Sequence, residues 1–577
     1  MTGNAARSWT TEKDMQTQTQ RTILWIVFSM SLLFLWDGWQ RHNGKASLLG
    51  GPPPATQQAE SGQAGPGGGD GDASVPTAGA STVPAAPGAT PATQLPGADA
   101  QAVAQGQVFR FGNDVLDLRI SSAGGVIVHA ELLEHKETED SSRNVVMLEQ
   151  SGGRVYLAQN GLIGAPQGSS YPTHRSPFTL QGEATLANGS KRLSLTSESG
   201  GLRLVRHYDL EPGSYVVHVR DEVTNVGDAP AGPTIYRQIT RDGSPAPGGT
   251  MFYSTYTGPV VYTDADKFQK VSFDDIGAGK ASFTEKANDG WVGVIQHYFA
   301  TAWIPQPDTP REYYSAKVGE NLYSIGIKTP LGTIQPGATV ASDAMFYVGP
   351  QDQQVLEKLA PGLELTVDYG WLTILAKPIH WLLTVLHGFI GNWGWSIVAL
   401  TVIIKTIFFP LQAASYKSMA RMKAVTPRLQ ALRERYGDDR ARMNQAMMEL
   451  YKQEKINPLG GCLPIVVQIP VFIALYWVLL ASVEMRHAPW IGWIDDLASP
   501  DPYFILPLVM AGTMFLQTKL NPTPPDPMQA KMMMIMPLVF SVMFFFFPAG
   551  LVLYWLVNNI YSIAQQWVIT RKIMANK

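Results

Sequence analysis

One charged residue stands inside a long apolar stretch of this sequence. Lys405 lies within the run 400–410, among leucine, valine, isoleucine and phenylalanine residues. A charge inside a membrane-spanning helix is costly in free energy and is therefore a candidate functional residue. Lys405 lies roughly 10 Å inside the nearer end of the predicted helix. Its long stem could reach the membrane surface, but we favour an ammonium group that faces a wet internal cavity and attracts acidic groups.

Other polar residues in the predicted spans could share this cavity. Thr401 lies one helical turn before Lys405 and on the same helix face. The last predicted span is apolar over 551–557 and then carries amide side chains. Hydrogen bonds that only fasten the helices together are the alternative. The candidate hydrophilic hollow consists of Lys405, Thr401, Gln468, Asn558, Asn559 and Gln565.

Composition argues against a conventional soluble enzyme. The chain has 577 residues, of which 16% are charged and 45% are hydrophobic, and its net charge of -3 gives no support for direct nucleic-acid binding. The single cysteine, Cys462, excludes internal disulfides and cysteine-based metal clusters. The sequence has no phosphate-binding loop, HExxH or Gly-x-Ser-x-Gly motif, so we expect neither a cofactor nor an enzymatic reaction. A serine hydrolase is disfavoured because the sequence offers no evident general base for Ser541 and because Pro410 separates Lys405 from Ser415.

The first hundred residues predict an anchor and a linker. Residues 1–21 are expected to be cytoplasmic, and residues 22–39 a transmembrane signal anchor with interfacial tryptophans. A cleaved signal peptide is the alternative, but no small-x-small cleavage site follows the apolar run promptly. Gly, Pro and Ala fill 31 of the 50 positions from 51 to 100. Residues 40–107 are therefore predicted to be a flexible linker.

Residues 108–350 predict an all-β domain. Apolar and polar residues alternate over 202–208 and 215–220, with turn residues between such runs. A domain of this length favours a sandwich of two packed sheets. Trp291, Trp303 and nearby acidic residues could form a carbohydrate site, although aromatic residues of the core are the favoured interpretation.

The remainder of the chain predicts a helical membrane bundle. Its expected spans are 389–411, 463–483, 503–517, 531–547 and 549–569. Between the first two, residues 413–462 carry ten Lys/Arg and five Asp/Glu, which favours a cytoplasmic location. Residues 351–390 must then form a helical segment along the outer interface, because another span would place the basic segment outside. With the anchor, the prediction is six spans with both termini cytoplasmic.

Two further features of the bundle have functional interest. The spans 503–517 and 531–547 are short for a hydrocarbon core of roughly 30 Å, which favours local thinning of the bilayer. The segment 413–462, here named the basic hairpin, predicts helices at 413–436 and 439–456 joined at Gly437-Asp438. It is either a docking element or only a solvated charged surface.

Several motifs in register resemble the YidC-type membrane-protein insertases. They are NPLGGCLP at 457–464, QIP at 468–470, NWG at 392–394, DPYFILP at 501–507 and FPAGLVLY at 547–554. The resemblance is dense over about the last 220 residues. It also agrees with the anchor, linker and outer β domain of Gram-negative members.

The resemblance implies a five-helix core, residues 389–577, with a groove open to the cytoplasm and lipid. A positive residue in that groove, usually Arg, holds the acidic region of the substrate, and Lys405 matches it without the planar fork of Arg. The implied apolar slide consists of Phe472, Tyr476, Met536, Phe540, Tyr554 and Trp555. The implied substrate-capture residues of the basic hairpin are Arg421, Arg428, Arg433 and Arg435.

The implied function is insertion and folding of hydrophobic segments in the bacterial inner membrane. The implied partners are nascent membrane proteins, membrane lipid, the Sec translocon and ribosome–nascent chain complexes. The short C-terminal tail argues against the ribosome contact that long basic tails make. A transporter or channel using the same polar cavity is the alternative, but it should show internal repeats or paired broken helices, and the sequence shows neither.

Overall fold

The computed structural model describes residues 106–575, except 139, 152, 247–255, 437–438, 455–462 and 522–526. The chain divides into two compact units between Val367 and Asp368. We name the described residues up to Val367 the β unit and those from Asp368 the helical unit. The predicted cytoplasmic N-terminus, the anchor and nearly all of the linker lie outside the described residues.

The β unit contains two nine-stranded sheets whose paired strands are all antiparallel. The two short helices are α1 (Phe273–Gly277) and α2 (Gln353–Leu359). The strands are β1 (Val108–Gly112), β2 (Leu116–Ser121), β3 (Ile127–Lys136), β4 (Asn144–Ser151), β5 (Arg154–Ile163), β6 (Thr179–Thr185), β7 (Lys191–Ser199), β8 (Leu202–Leu210), β9 (Val216–Asn225), β10 (Thr234–Asp242), β11 (Gly258–Thr263), β12 (Lys267–Lys270), β13 (Lys286–Ala287), β14 (Trp291–Ile295), β15 (Phe299–Pro305), β16 (Arg311–Gly319), β17 (Leu322–Pro330) and β18 (Thr339–Pro350).

The predicted two-sheet architecture is confirmed. The first sheet has the order β1-β2-β3-β4-β5-β10-β17-β16-β13, and the second has the order β12-β11-β14-β15-β18-β9-β8-β7-β6. In β8 every second residue is buried, which is the alternation that the sequence predicts for a strand with one face on a core. Strand β8 therefore buries one face, whereas β10, β14 and β15 are buried along nearly their whole length.

The two tryptophans considered for carbohydrate binding are buried side chains with 1% exposure. Trp303 packs on Phe346 and donates its indole N–H to the carbonyl oxygen of Gln238 at 3.1 Å. Trp291 stacks on Tyr262 and also borders a cavity of about 660 Å³. Trp303 ties a strand of one sheet to the other, so it belongs to the core.

A buried ionic cluster joins the two sheets. Asp221 on β9 accepts a 2.6 Å hydrogen bond from Nε of Arg206 on β8 and a 3.1 Å bond from Nη2 of Arg237 on β10. All three side chains are buried. A buried carboxylate between two guanidinium groups balances much of their charge, so removing the carboxylate leaves two buried cations without a counter-ion.

We expect Asp221→Asn to lower the free energy of unfolding of the β unit by about 3–5 kcal/mol, the cost of breaking a buried ion pair. Asp209→Asn is the control, because Asp209 pairs with Arg192 near the surface and should cost less than about 1 kcal/mol. Pulse proteolysis of the full chain across a urea series measures both. Equal, small losses in the two variants would contradict the argument.

A second buried polar contact makes stability depend on pH. The hydroxyl of Tyr236 accepts the backbone N–H of His174 at 3.0 Å and lies 2.5 Å from its Nδ1. Burial, helped by Arg175 and Arg206, lowers the pKa of His174 to about 3. Below a pH of about 6.5 the unfolded chain binds a proton at this residue and the folded chain does not. Its contribution to stability is therefore complete above that pH and is lost as the pH falls toward 3.

We expect the free energy of unfolding to fall with decreasing pH more steeply in the wild type than in His174→Asn. The difference should approach about 1.4 kcal/mol per pH unit between roughly pH 6 and pH 4. Asn keeps an acceptor for the Tyr236 hydroxyl but cannot titrate. Urea unfolding of both proteins at several pH values measures this difference. If the free energies of unfolding of the two proteins changed in parallel with pH, His174 would not be the responsible group.

The helical unit begins with a 3₁₀ turn at Gly370–Leu372 and also contains 3₁₀ turns at Val483–Met485 and Phe544–Phe546. Its helices are α3 (Thr373–Ile390), α4 (Trp393–Ile407), α5 (Phe409–Tyr436), α6 (Arg440–Gln453), α7 (Leu463–Ala481), α8 (Ile505–Leu520), α9 (Pro527–Met543) and α10 (Ala549–Ala575). The link at Gly437-Asp438 lies outside the described residues.

The predicted span 389–411 is not one straight helix. Its start is interrupted by Gly391, which has a φ of 73° and ends α3. Asn392 then caps α4 by accepting the backbone N–H of Trp395 at 3.1 Å. Helices α4 and α5 meet at a bend of 67°. Pro410 explains the break, because it has no N–H to continue the helical ladder.

Length and hydropathy identify few helices in the described chain that could cross a bilayer unaided. Thr373–Ile390 meets both criteria, and the bent pair Trp393–Ile407 and Phe409–Met422 meets them if it counts as one span. The six-span prediction is therefore not confirmed. Helices α8 and α9 have 16 and 17 residues, which agrees with the short spans predicted there. The interfacial position of α3 stays a prediction, and its apolar residues Ile374 and Phe389 are highly exposed.

Candidate functional site

The helical unit encloses a cavity of about 380 Å³ around Lys405. We name it the Lys405 cavity. It lies among α4, α5, α7, α8, α9 and α10, and Lys405 is the charged residue among its described lining residues. They are Lys405, Gln412, Ser415, Tyr416, Met419, Gln468, Ile469, Phe472, Met514, Gln517, Thr518, Asn521, Pro537, Tyr554, Trp555, Asn558, Asn559 and Ser562.

The Lys405 side chain is only 2% exposed. Its Nζ donates a 2.7 Å hydrogen bond to Oγ of Ser562, and Ser562 in turn donates to the carbonyl oxygen of Asn558 at 2.7 Å. No carboxylate occurs among the described lining residues. A buried cation without a counter-ion is electrostatically unfavourable, so an anionic group that enters this cavity is attracted to it.

Amide side chains from three helices form a second hydrogen-bonded series in the cavity wall. Gln412 on α5 donates to Gln468 on α7 at 3.4 Å, and Gln468 donates to Asn558 on α10 at 2.7 Å. Oε1 of Gln412 is buried and accepts no hydrogen bond from the described residues. The cavity wall therefore combines an ammonium group with a series of hydrogen-bonded amide side chains.

The structure brings together four residues of the predicted hydrophilic hollow. Lys405, Gln468, Asn558 and Asn559 line the cavity. Thr401 does not, because it is fully buried and its hydroxyl donates to the carbonyl oxygen of Ile397 at 2.7 Å. The Gln565 side chain is also buried outside the lining, and neither of its polar atoms has a hydrogen-bond partner among the described residues.

Sequence reasoning missed two polar residues at the centre of the site. Ser562 lies four residues after Asn558, so the helical period places it on the same face of α10, and this spacing could have identified it. Gln412 lies beyond the end of the predicted span, and only the bend at Pro410 directs it toward Gln468.

Aromatic residues form the apolar side of the cavity. The ring of Phe472 packs edge-on against Trp555 at 4.4 Å and lies parallel to Tyr554 at 6.1 Å. These three residues of the predicted slide line the cavity. Tyr476 lies one turn farther along α7, against Phe547 at 6.2 Å. Met536 is exposed on α9, which also carries Phe540, whose side chain lies outside the described part.

The basic hairpin forms with bounds close to those predicted. Helices α5 and α6 pack through Val425, Leu429 and Leu450. Arg428 pairs with Glu454 at 2.6 Å. Among the other predicted capture residues, the guanidinium of Arg435 lies over the ring of Tyr436, Arg421 is half-buried on α5, and the side chain of Arg433 lies outside the described part.

The loop 482–504, named here the closing loop, packs on the first turns of α4 and α10. Asp501 organises it by accepting the indole N–H of Trp493 at 3.0 Å and the backbone N–H of Leu506 at 2.7 Å. The backbone N–H of Gly550 donates to the carbonyl oxygen of Leu497 at 2.9 Å. Gly394 lies against Trp490, where an added Cβ would come within 2.2 Å of the indole ring. This end of the bundle is therefore tightly packed.

We expect Gly394→Ala to displace Trp490 and to destabilise the helical unit by about 1–3 kcal/mol, as overpacking does. Gly388→Ala is the control, because Gly388 lies in α3 with open space around it. Alanine there should be neutral or stabilising by roughly 1 kcal/mol. Thermal unfolding in detergent, followed by tryptophan fluorescence, compares the two variants. An undisturbed Gly394→Ala protein would show that the loop is loosely packed.

These features define a protein of two units, one all-β and one with apolar helices arranged around a polar internal cavity. The family model for the YidC periplasmic domain matches residues 109–382, and the model for the 60Kd inner membrane protein matches residues 385–577. The chain is 57% identical over 575 residues to the membrane protein insertase YidC of Bordetella avium, covering 96% of this chain and 98% of that protein. It is 56% identical over 561 residues to the same-named protein of Cupriavidus necator, covering 97% and 98%.

The chain therefore belongs to the YidC family of membrane protein insertases. A crystal structure described as an active YidC insertase with the first transmembrane domain resolved aligns with a TM-score of 0.37 and 16% identity. That alignment covers 80% of this chain and 93% of that chain. The resemblance recognised in the sequence is confirmed by the family models and the relatives, and the transporter alternative is not favoured.

Proposed function

We propose that the Lys405 cavity is the place where this membrane protein insertase receives the polar flank of a nascent hydrophobic segment. The observation that carries the proposal is the buried Lys405 ammonium, which has a hydroxyl partner but no carboxylate among the described lining residues. A carboxylate on the incoming flank supplies the missing negative charge. Charge-assisted hydrogen bonds of this kind are the stronger ones.

The amide side chains of the cavity wall are proposed to bind the uncharged parts of the same flank. The backbone of an entering polypeptide carries both N–H donors and C=O acceptors that lose water in the membrane. The amide side chains of Gln468 and Asn558 line the cavity, and the N–H donors of Lys405 that Ser562 does not use can bond to C=O groups. The cavity therefore offers a polar surface to a segment that would otherwise lose its hydrogen bonds.

The apolar part of the substrate then moves along the slide toward lipid. Phe472, Tyr554 and Trp555 contact it at the cavity, and the exposed residue Met536 continues the surface on α9. The 16 residues of α8 span only about 24 Å. A bilayer thinned beside such a helix shortens the distance that the polar flank crosses.

Partitioning of the apolar segment supplies the driving force in this proposal. The membrane potential adds about 2.3 kcal/mol per unit charge at 100 mV. With the inside negative, it favours outward movement of an acidic flank. The cycle proposed here uses neither a cofactor nor a covalent reaction.

The basic hairpin serves in the proposal as the first contact with the nascent chain. Arg421, Arg428, Arg433 and Arg435 provide positive charge on α5. The proposed setting is the bacterial inner membrane, with the β unit in the periplasm and both termini in the cytoplasm. The protein acts there as an insertase and a folding chaperone, alone or with the Sec translocon and ribosome–nascent chain complexes.

We expect Lys405→Ala to reduce insertion of a single-span substrate with an acidic N-terminal flank by about ten-fold, the loss of one hydrogen bond between charged groups. Lys405→Arg should retain most of the activity because it keeps the charge. Protease protection of the flank in sealed vesicles containing the purified protein measures insertion.

The matched control is Lys519→Ala, because Lys519 is exposed on α8 and does not line the cavity. It should insert the substrate as well as the wild type does. A substrate whose flank carries amides in place of carboxylates should respond much less to Lys405→Ala. Normal insertion of the acidic substrate by Lys405→Ala would remove the proposed role of the cavity charge.

A further inference from the structure

The hydrogen bond between Lys405 and Ser562 joins two helices across the cavity. Lys405 lies near the end of α4, and Ser562 lies in the middle of α10. Their polar atoms are 2.7 Å apart, and both side chains are buried. Ser562 is the hydrogen-bond partner of Lys405 in the described part of the chain. This contact therefore decides where the ammonium lies.

The second hydrogen bond of Ser562 fixes its role as an acceptor. A serine hydroxyl has one hydrogen, and Ser562 directs it to the carbonyl oxygen of Asn558 at 2.7 Å. Its oxygen then accepts from Lys405, and the hydroxyl of Tyr416 also lies within hydrogen-bonding reach of it. Because the hydroxyl is held by the backbone of its own helix, it offers the lysine a fixed point on a rigid element.

We infer that Ser562 is a positioning residue for substrate binding, which holds the Lys405 ammonium in the cavity with its remaining N–H donors directed at the acidic flank. An ammonium has three donors, of which Ser562 occupies one. Without this hydroxyl the flexible lysine stem is free to extend toward the membrane surface. The inference rests on the proposed role of Lys405.

The inference makes the importance of Ser562 depend on which cation occupies position 405. A lysine ammonium is a compact charge on a flexible stem, so a single acceptor decides its direction. An arginine carries a planar fork that is longer and holds several donors in fixed directions. Arginine at position 405 therefore depends less on the Ser562 hydroxyl than lysine does.

The test uses the full-length protein in the same vesicle assay with the acidic-flank substrate. We expect Ser562→Ala to reduce insertion by roughly ten-fold, as the loss of a hydrogen bond to a charged group predicts. Ser562→Thr should restore it, because the threonine hydroxyl makes the same backbone bond in a helix. Ser396→Ala is the matched control, since Ser396 is buried on α4 and bonds to the carbonyl oxygen of Asn392 at 2.8 Å. It should insert normally.

Two further measurements separate positioning from general damage to the fold. The double variant Lys405→Arg with Ser562→Ala should insert nearly as well as Lys405→Arg alone. Labelling of the Lys405 amine by an acylating reagent, measured by mass spectrometry, should be faster in Ser562→Ala than in the wild type, Ser562→Thr or Ser396→Ala.

The outcomes distinguish this inference from the proposed function. If Lys405→Ala fails to insert but Ser562→Ala inserts normally, the positioning role is overturned and the cavity charge stands. Ser562→Thr as defective as Ser562→Ala, or a double variant as defective as Ser562→Ala alone, also overturns it. If Lys405→Ala inserts normally, the proposed function fails, and the positioning role fails with it.

Discussion

The helical unit is arranged around one positive charge that its own described side chains do not neutralise. Lys405 is buried, its hydrogen-bond partner is a hydroxyl, and no carboxylate occurs among the described residues that line its cavity. Such a charge is tolerated only where water or a passing ligand can solvate it. The polar cavity wall and the bend that brings Gln412 into that wall surround the ammonium with polar groups. In the proposed function, the cost of the unpaired charge becomes affinity for an acidic segment.

The β unit also buries cations, but it pairs them with a carboxylate. Its buried arginines, Arg206 and Arg237, share the carboxylate of Asp221, and the cluster ties the two sheets together. A cation that is paired with its counter-ion stabilises one conformation and attracts an anionic ligand only weakly. The contrast with Lys405 separates a structural charge from one proposed to bind substrate. What distinguishes them is whether a counter-ion occurs among the described neighbours, which burial alone does not reveal.

Local sequence patterns predicted the helices and strands well, but they predicted the contacts between helices less well. The alternation in β8 and the short helix α8 both follow from residues close together in the chain. The span 389–411 is not continuous, because Gly391 and Asn392 separate its first residues from α4 and Pro410 lies at the bend between α4 and α5. Thr401 was assigned to the cavity from helical spacing, yet it is buried away from the lining. Spacing gives the relative direction of two side chains but not what faces them.

The sequence by itself determined the family and the two-sheet domain, because these depend on motifs and on the alternation of apolar residues. It also singled out Lys405 as the candidate charge, because a cation inside an apolar run is unusual. Only the tertiary structure decided which polar residues share a cavity. Ser562 and Lys405 are 157 positions apart in sequence, and no local signal links them. Gln565 is polar, as a cavity residue is expected to be, but its side chain is buried outside the cavity lining. Contacts between distant helices depend on how their side chains pack together, and that information is distributed over the whole bundle.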